Sequence, residues 1–187
     1  MRLNRPSPNL IVFTLWLLVF SSASQTMIIS PILPRIGEEL AIPDAALGTL
    51  VSAYSLMVGI FAILAGPVSD KVGRRRILIL GTGTMTVALA LHGLVQDYLS
   101  FLVVRVCAGM AGGMLSGAAV SYIGDFFPYN RRGWATGWVM SGAAVGQIVG
   151  IPLGIALSGR WGFRAPFYVF AVTMAATVAL LWLRIPQ

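Results

Sequence analysis

The sequence predicts an all-α membrane protein with six transmembrane helices. Hydrophobic residues occupy 57% of its 187 positions and charged residues only 10%, a composition far more apolar than that of a soluble domain. A helix needs about 20 predominantly apolar residues to cross the hydrocarbon core of a bilayer. Six stretches reach that length, and little chain remains for loops: residues 10–33, 45–67, 76–96, 99–123, 133–158 and 165–183. We therefore expect one transmembrane domain over residues 1–187, with the lipid bilayer as its partner.

The basic residues predict the orientation of these helices. With the N-terminus in the cytoplasm, nine of the 13 Lys and Arg residues lie on the cytoplasmic side and three lie outside, as the positive-inside rule requires. Both termini are then cytoplasmic, in a multi-pass protein of the cell (inner) membrane. This distribution, rather than nucleic-acid binding, accounts for the net charge of +7. The nine are Arg2, Arg5, Lys71, Arg74, Arg75, Arg76, Arg131, Arg132 and Arg184.

The first apolar stretch has a second interpretation. Basic residues, the apolar segment 10–20 and the small residues 21–24 also fit a secretory signal peptide. Apolar character resumes at Met27, which makes the stretch long enough to span and favours a transmembrane helix with a polar, cavity-facing patch. Pro31 and Pro34 either bend this helix or end it at the interface, and the sequence leaves both open.

The stretch between the second and third helices carries the most specific motif. Gly66 and Pro67 predict the opening of a tight loop, and Gly73 predicts a second bend. The stretch resembles the loop signature of the major facilitator superfamily, with Val68, Lys71 and Arg75 replacing the usual types. The matching positions are Gly66, Asp70, Gly73, Arg74 and Leu78.

This resemblance implies the N-terminal half of a transporter, made of two inverted three-helix repeats at residues 10–96 and 99–184. In the family, two such halves rock around a central site to move a small organic solute. The residue matching Asp70 contacts a helix N-terminus of the opposite half, which stabilises a carboxylate. Asp125 is the expected partner of Arg74. The proline pattern of the first helix and the segment from Gly162 to Phe167 resemble drug and sugar exporters.

Arg105 lies within the fourth helix, where a guanidinium is costly and should face a cavity or a partner. With Gly109, Gly112 and Gly113 it resembles a second motif of the family, although Ala108 replaces the usual Gln. The matching Arg is implicated in proton handling or in binding anionic groups. The other interpretation is that Arg105 snorkels to the outer surface.

No Asp or Glu lies in the middle of any predicted span. Proton coupling commonly uses a buried carboxylate. Coupling therefore uses an acid at a helix end, uses an acid in another half, or is absent. We expect no cofactor, and coupling to a proton gradient stays open.

Four glycines recur at every fourth position of the fifth helix and predict close helix packing: Gly142, Gly146, Gly150 and Gly154. The stretch resembles a degenerate antiporter motif, in which Gln147 and Ile151 depart from the pattern. In the family this helix meets the other half, so the stripe is also a candidate interface.

Polar residues within the spans are the remaining cavity candidates: Gln25, Thr26, Tyr54 and Gln147. Hydrogen bonding between helices explains them equally well. His92 has no second His or Cys nearby, so no metal site is expected. No nucleophile motif, Walker loop or dinucleotide fingerprint is present, which predicts that the chain is not an enzyme.

A family transporter needs two six-helix halves, and this sequence contains one. Three interpretations follow: a half that requires a C-terminal partner, a homodimer formed through the glycine stripe, or a non-transporting membrane protein with a structural or regulatory role. An isolated half would expose a polar face to lipid, so the partner-dependent half is favoured.

Overall fold

The computed structural model describes residues 7–184, and the chain between them is helical apart from short connections. Ile28 alone separates the helices Pro8–Met27 and Ile29–Leu40, and Gly117 alone separates Tyr98–Ser116 and Ala118–Phe126, so each pair is one interrupted helix. The helices are α1 Pro8–Met27, α2 Ile29–Leu40, α3 Asp44–Val72, α4 Arg74–Leu91, α5 Tyr98–Ser116, α6 Ala118–Phe126, α7 Tyr129–Trp161 and α8 Arg164–Arg184.

Length and apolar composition identify membrane-crossing helices within this part of the chain. Five segments qualify: α1, α3, α5 with α6, α7, and α8 up to Leu183. The remaining predicted stretch, residues 76–96, corresponds to α4, which has 18 residues and begins with three arginines, Arg74 to Arg76. These charges keep α4 out of the set that composition alone identifies. The described chain is thus an all-helical bundle with several membrane-crossing helices.

The prolines of the first predicted span do not end the helix, which is interrupted at one residue and then continues. Pro31 has no N–H to donate to the carbonyl of Met27, which weakens the helix just before the proline. The interruption lies at Ile28, and α2 then continues through Pro34 to Leu40. Ala41, at φ 51°, ends α2 in the left-handed region.

The prediction that Gly66 and Pro67 open a loop is wrong. Both lie inside α3, which continues to Val72. The φ angle of proline is compatible with a helix, so Pro67 removes one hydrogen bond without forcing the chain to turn. The chain turns only at Gly73, whose φ of 101° is one that L side chains rarely adopt.

The glycine stripe of α7 packs against α1. A Cβ at Gly146 would lie 2.5 Å from the carbonyl oxygen of Phe20, and one at Gly142 would lie 2.7 Å from that of Trp16. Ser24 Oγ donates to the carbonyl of Gly146 at 2.9 Å. The stripe is therefore filled within the chain, which corrects the expectation that a second copy dimerises through it. It also makes α1, otherwise readable as a signal peptide, an integral part of the bundle.

A second close helix pair joins α5 to α3. A Cβ at Gly109 would lie 2.5 Å from the carbonyl oxygen of Tyr54, and one at Gly113 would lie 2.6 Å from that of Val58. The α4 and α8 helices complete the bundle, partly through a buried aromatic cluster in which His92 stacks on Phe167 at 4.3 Å between centroids. Because α5 has no side chain at these two glycines, its backbone comes unusually close to that of α3.

The α1–α7 contact makes a stability prediction. We expect Gly146→Ala to destabilise the bundle by about 1–3 kcal/mol, because the added methyl group overpacks the helix pair. Gly137→Ala, on the same helix, is the matched control, since nothing lies within 4 Å of a Cβ there. Thermal unfolding of the detergent-solubilised chain, followed by circular dichroism, measures the difference. Equal melting temperatures for the two variants would contradict the packing.

The turn after α3 makes a second prediction. We expect Gly73→Ala to cost about 1–2 kcal/mol, because alanine disfavours positive φ. Gly66→Ala should be neutral or stabilising, because Gly66 is helical and nothing lies within 4 Å of a Cβ there. If Gly66→Ala were the more damaging variant, the loop would begin at Gly66 after all. The same unfolding assay makes this comparison.

Candidate functional site

A hydrogen-bonded polar cluster lies between α1 and α3. Gln25 Nε2 donates to the Tyr54 hydroxyl at 3.0 Å and to Thr26 Oγ1 at 2.9 Å. The hydroxyls of Thr26 and Tyr54 are themselves 3.0 Å apart. Gln25 is completely buried and Tyr54 is 6% exposed, so the three side chains hold one another in a fixed arrangement.

Arg105, on α5, completes this cluster by packing against the face of the Tyr54 ring. Its guanidinium carbon lies 4.2 Å from the ring centroid, which is cation–π geometry. Its Nε donates to the carbonyl of Leu50 at 3.4 Å. The residue is 0% exposed, so in this structure it does not snorkel to the surface.

The cluster is not fully satisfied. Within residues 7–184, Arg105 Nη1 and Nη2 and Gln25 Oε1 are buried without a hydrogen-bond partner. A buried charge without an acceptor is costly, and buried unsatisfied groups in a folded protein call for an explanation such as a ligand, a water molecule or an unseen partner. These three atoms mark the strongest candidate for a functional site in the described chain.

A cavity of about 320 Å³ adjoins the cluster. Thr26 and Tyr54 line it on one side, and Met27 and Met140 contribute apolar surface. Gln25, Tyr54 and Arg105, three of the predicted cavity residues, thus come together, but of these three only Tyr54 lines the cavity. Gln147 does not join them: it is exposed on α7 and makes no hydrogen bond within the described residues. The carbonyl of Leu50, which no side-chain pattern signals, was missed.

A charge network lies at the α3–α4 turn. Arg74 Nη2 pairs with Asp70 Oδ1 at 2.8 Å, and Arg74 Nε pairs with Asp125 Oδ2. We call these three residues the Arg74 network; it joins the ends of α3 and α6 through the first residue of α4. Both carboxylates are 62% exposed, so each has room for a further partner. Nearby, Arg75 Nη2 donates to the carbonyl of Trp182 at 2.8 Å and links α4 to α8.

A small cavity of about 100 Å³ connects the Arg74 network to the interruption between α5 and α6. Gly66, Ser69 and Arg74 line it on one side, and Ser116 and Gly117 line it on the other. Ser69 Oγ is buried without a hydrogen-bond partner among the described residues. The place where α5 gives way to α6 therefore lies beside Arg74, whose partner Asp125 is carried by α6.

The opposite end of the bundle carries structural charges. Asp97 caps α5 by accepting a hydrogen bond from the Ser100 N–H at 2.7 Å, and this bond holds the pKa of its carboxyl below the usual range. Arg164 Nη2 donates to the carbonyl of Val95 at 2.8 Å. Among residues 7–184, no three His, Cys, Asp or Glu side chains are grouped as metal ligands.

Comparisons with known proteins agree on one family. The family model of the major facilitator superfamily matches residues 15–187. An uncharacterized MFS-type transporter YwfA of Bacillus subtilis is 30% identical over 163 residues, which cover 87% of this chain and 40% of that protein. The multidrug resistance protein MdtG of Dickeya zeae is 30% identical over 168 residues, covering 87% of this chain and 41% of that protein.

Solved structures show the same fold. The proton:xylose symporter XylE, bound to 6-bromo-6-deoxy-D-glucose, superposes with a TM-score of 0.84 at 17% identity, covering 93% of this chain and 44% of that one. The chain thus spans less than half the length of these proteins. With the family model matched over nearly all of the sequence, the chain belongs to the major facilitator superfamily and is an integral membrane protein.

Proposed function

We propose that this chain is the N-terminal half of a transporter that moves small organic solutes across the cell (inner) membrane by alternating access. The unsatisfied cluster of Gln25, Tyr54 and Arg105 beside a cavity is the observation that carries the proposal. A chain that only filled a structural role would gain nothing by burying a guanidinium whose two terminal nitrogens, Nη1 and Nη2, have no acceptor. In a transporter half, the missing acceptor is a solute, water or a group on the second half.

The related proteins support the solute class. MdtG is named for multidrug resistance, and XylE is titled a proton:xylose symporter. Both names point to organic molecules of modest size, and the first points to export. The predicted drug-like or sugar-like substrate and the outward direction are proposed on this basis.

Six spans with both termini in the cytoplasm complete the proposed topology. The α4 helix is the remaining span, with Arg74, Arg75 and Arg76 at its cytoplasmic end. Arg131 and Arg132 lie in the first turn of α7, on the proposed cytoplasmic side. Arg35, Arg160 and Arg164 lie on the opposite side of the bundle. Arg2 and Arg5 lie outside the described residues. The charge asymmetry follows the positive-inside rule.

Pairing between helices supports the two proposed repeats. The most extensive contacts join α1 to α7 and α3 to α5. If residues 10–96 and 99–184 are inverted repeats, their first spans (α1–α2 and α5–α6) correspond, and so do their second spans, α3 and α7. The first span of one repeat then packs on the second span of the other in both cases. Each first span is also interrupted.

A second six-helix half is the proposed partner. In their apolar windows, α3 and α7 have 17% and 28% of residues buried, against 39–50% in the other candidate spans. Less buried helices need cover from lipid or protein. Because the glycine stripe already contacts α1, a partner docks on the remaining surface of α7 and on α3. A chain of the relatives' full length would supply this half.

The Arg74 network is the proposed inner latch. Arg74 holds Asp70 and Asp125 together, and both carboxylates keep exposed oxygen atoms that a helix N-terminus of the second half can bind. Closing the inner side adds this interaction, and opening it removes the interaction. Arg105 contacts the solute or a coupled proton. No acid lies in the middle of a span, so any coupling proton uses a helix-end acid or one in the second half.

The latch makes a prediction for the full transporter. We expect Asp70→Asn and Asp125→Asn each to lower transport at least about tenfold, which needs only roughly 1.4 kcal/mol in the gating equilibrium, while membrane insertion stays normal. Efflux of ethidium and of anilinonaphthalene sulfonate from cells measures transport. Glu39→Gln is the control, since its exposed pair with Arg35, also at 2.8 Å, lies far from the turn. Unchanged transport in both Asp variants would refute the latch.

Arg105 makes a prediction in which stability and transport move differently. We expect Arg105→Met to abolish transport while leaving the melting temperature unchanged or raised, because an apolar group replaces a buried, unpaired charge. Arg160→Met, at an exposed position, should change neither property. Transport in proteoliposomes and thermal unfolding of the same preparations provide the measurements. A destabilised variant that still transports would make Arg105 a structural residue, consistent with the alternative of a non-transporting role.

A further inference from the structure

The cavity beside Tyr54 has a mostly apolar wall. Only four of its lining residues carry hydroxyls: Ser22, Thr26, Tyr54 and Ser116. Thr26 and Tyr54 already bond to each other and to Gln25, and Ser116 Oγ donates to the carbonyl of Gly113 at 2.9 Å. Few hydrogen-bonding groups therefore remain for a solute, so this wall suits a lipophilic molecule better than a sugar.

No carboxylate of residues 7–184 lines this wall. All six acids of the chain lie at helix ends or in connections: Glu38, Glu39, Asp44, Asp70, Asp97 and Asp125. None of them lines the cavity. An organic cation that left water for this wall would find no counter-charge here to offset its desolvation.

A positive charge lies behind the wall at Tyr54. The guanidinium of Arg105 lies 4.2 Å from the centroid of the Tyr54 ring, and Tyr54 is part of the wall. No carboxylate forms an ion pair with Arg105 within residues 7–184. In general, a positive charge roughly 8 Å from a bound ion, at an effective dielectric constant of about 20, favours an anion over a neutral molecule by about 30-fold.

We infer that this cavity wall selects by charge: it binds lipophilic organic anions in preference to lipophilic organic cations of the same size and shape. The inference deepens the proposed transport function and rests on it, because it names the class of solute that the same cavity takes. It is carried by the apolar wall, the absence of acids on it and the unpaired guanidinium behind Tyr54.

A matched pair of ions tests the inference. Tetraphenylborate and tetraphenylphosphonium have the same shape and differ in their central atom and the sign of their charge. Equilibrium dialysis against the full transporter in nanodiscs, with protein-free nanodiscs of the same lipid as the blank, measures both dissociation constants. We expect tetraphenylborate to bind at least about tenfold more tightly. Equal binding, or tighter binding of the phosphonium ion, overturns the inference.

Variants assign the preference to this wall. Arg105→Gln should bring the ratio of the two dissociation constants close to one, and Arg105→Lys should keep it. Ser22→Asp places a carboxylate on the wall and should shift the preference toward tetraphenylphosphonium, whereas Ser22→Asn should leave it unchanged. The Ser22 pair also decides the matter if Arg105→Gln fails to fold. A ratio that neither charge change alters would contradict the assignment.

Transport is scored separately from binding in proteoliposomes. If the protein moves no solute but keeps its preference for tetraphenylborate, the proposed transport function fails and the charge selectivity stands. If it transports solutes and prefers tetraphenylphosphonium, transport stands and the selectivity inference fails.

Discussion

The direct backbone contact between α5 and α3 positions the candidate site. Gly109 and Gly113 leave no side chain between the two helices, and Arg105 lies one turn before Gly109 on the same helix. This approach puts the guanidinium under the Tyr54 ring and beside the carbonyl of Leu50. A larger residue at Gly109 would move α5 away from α3. Arg105 would then lose the only partners that it has among the described residues. The site therefore depends on the absence of side chains at Gly109 and Gly113.

The α1–α7 contact plays the same part on the other side of the cavity. Gly146 receives the backbone of Phe20 and the hydroxyl of Ser24, which fixes the face that α1 turns toward α3. Gln25 and Thr26 follow directly and meet Tyr54. Two glycine-based helix pairs thus hold the polar cluster between them, where van der Waals packing replaces the hydrophobic effect that lipid cannot supply.

The interrupted helix α5–α6 connects the Arg74 network to the cavity beside Tyr54. Arg74 forms an ion pair with Asp125 near the end of α6. The α6 helix begins directly after Gly117, which lines the small cavity beside the Arg74 network together with Ser116. The Arg74 network is therefore connected to a helix segment, α6, that borders the candidate solute cavity. Exposed ion pairs of this kind contribute at most about 1 kcal/mol to stability, which suits the proposed role of the Arg74 network as a latch.

The sequence by itself determined the helical membrane class and the family, because span length, loop charge and motif spacing are set by the order of residues in the chain. It misplaced the start of the turn at Gly66, since a proline and a glycine that usually punctuate a helix were both accommodated within α3. Only the tertiary structure decided that the α7 glycines face α1 rather than a second copy, that Arg105 is buried rather than snorkelling, and that Gln147 is left out of the cluster. The physical reason is that each of these outcomes depends on which helix faces which, and rotation about a helix axis is set by packing against neighbours, not by local propensity.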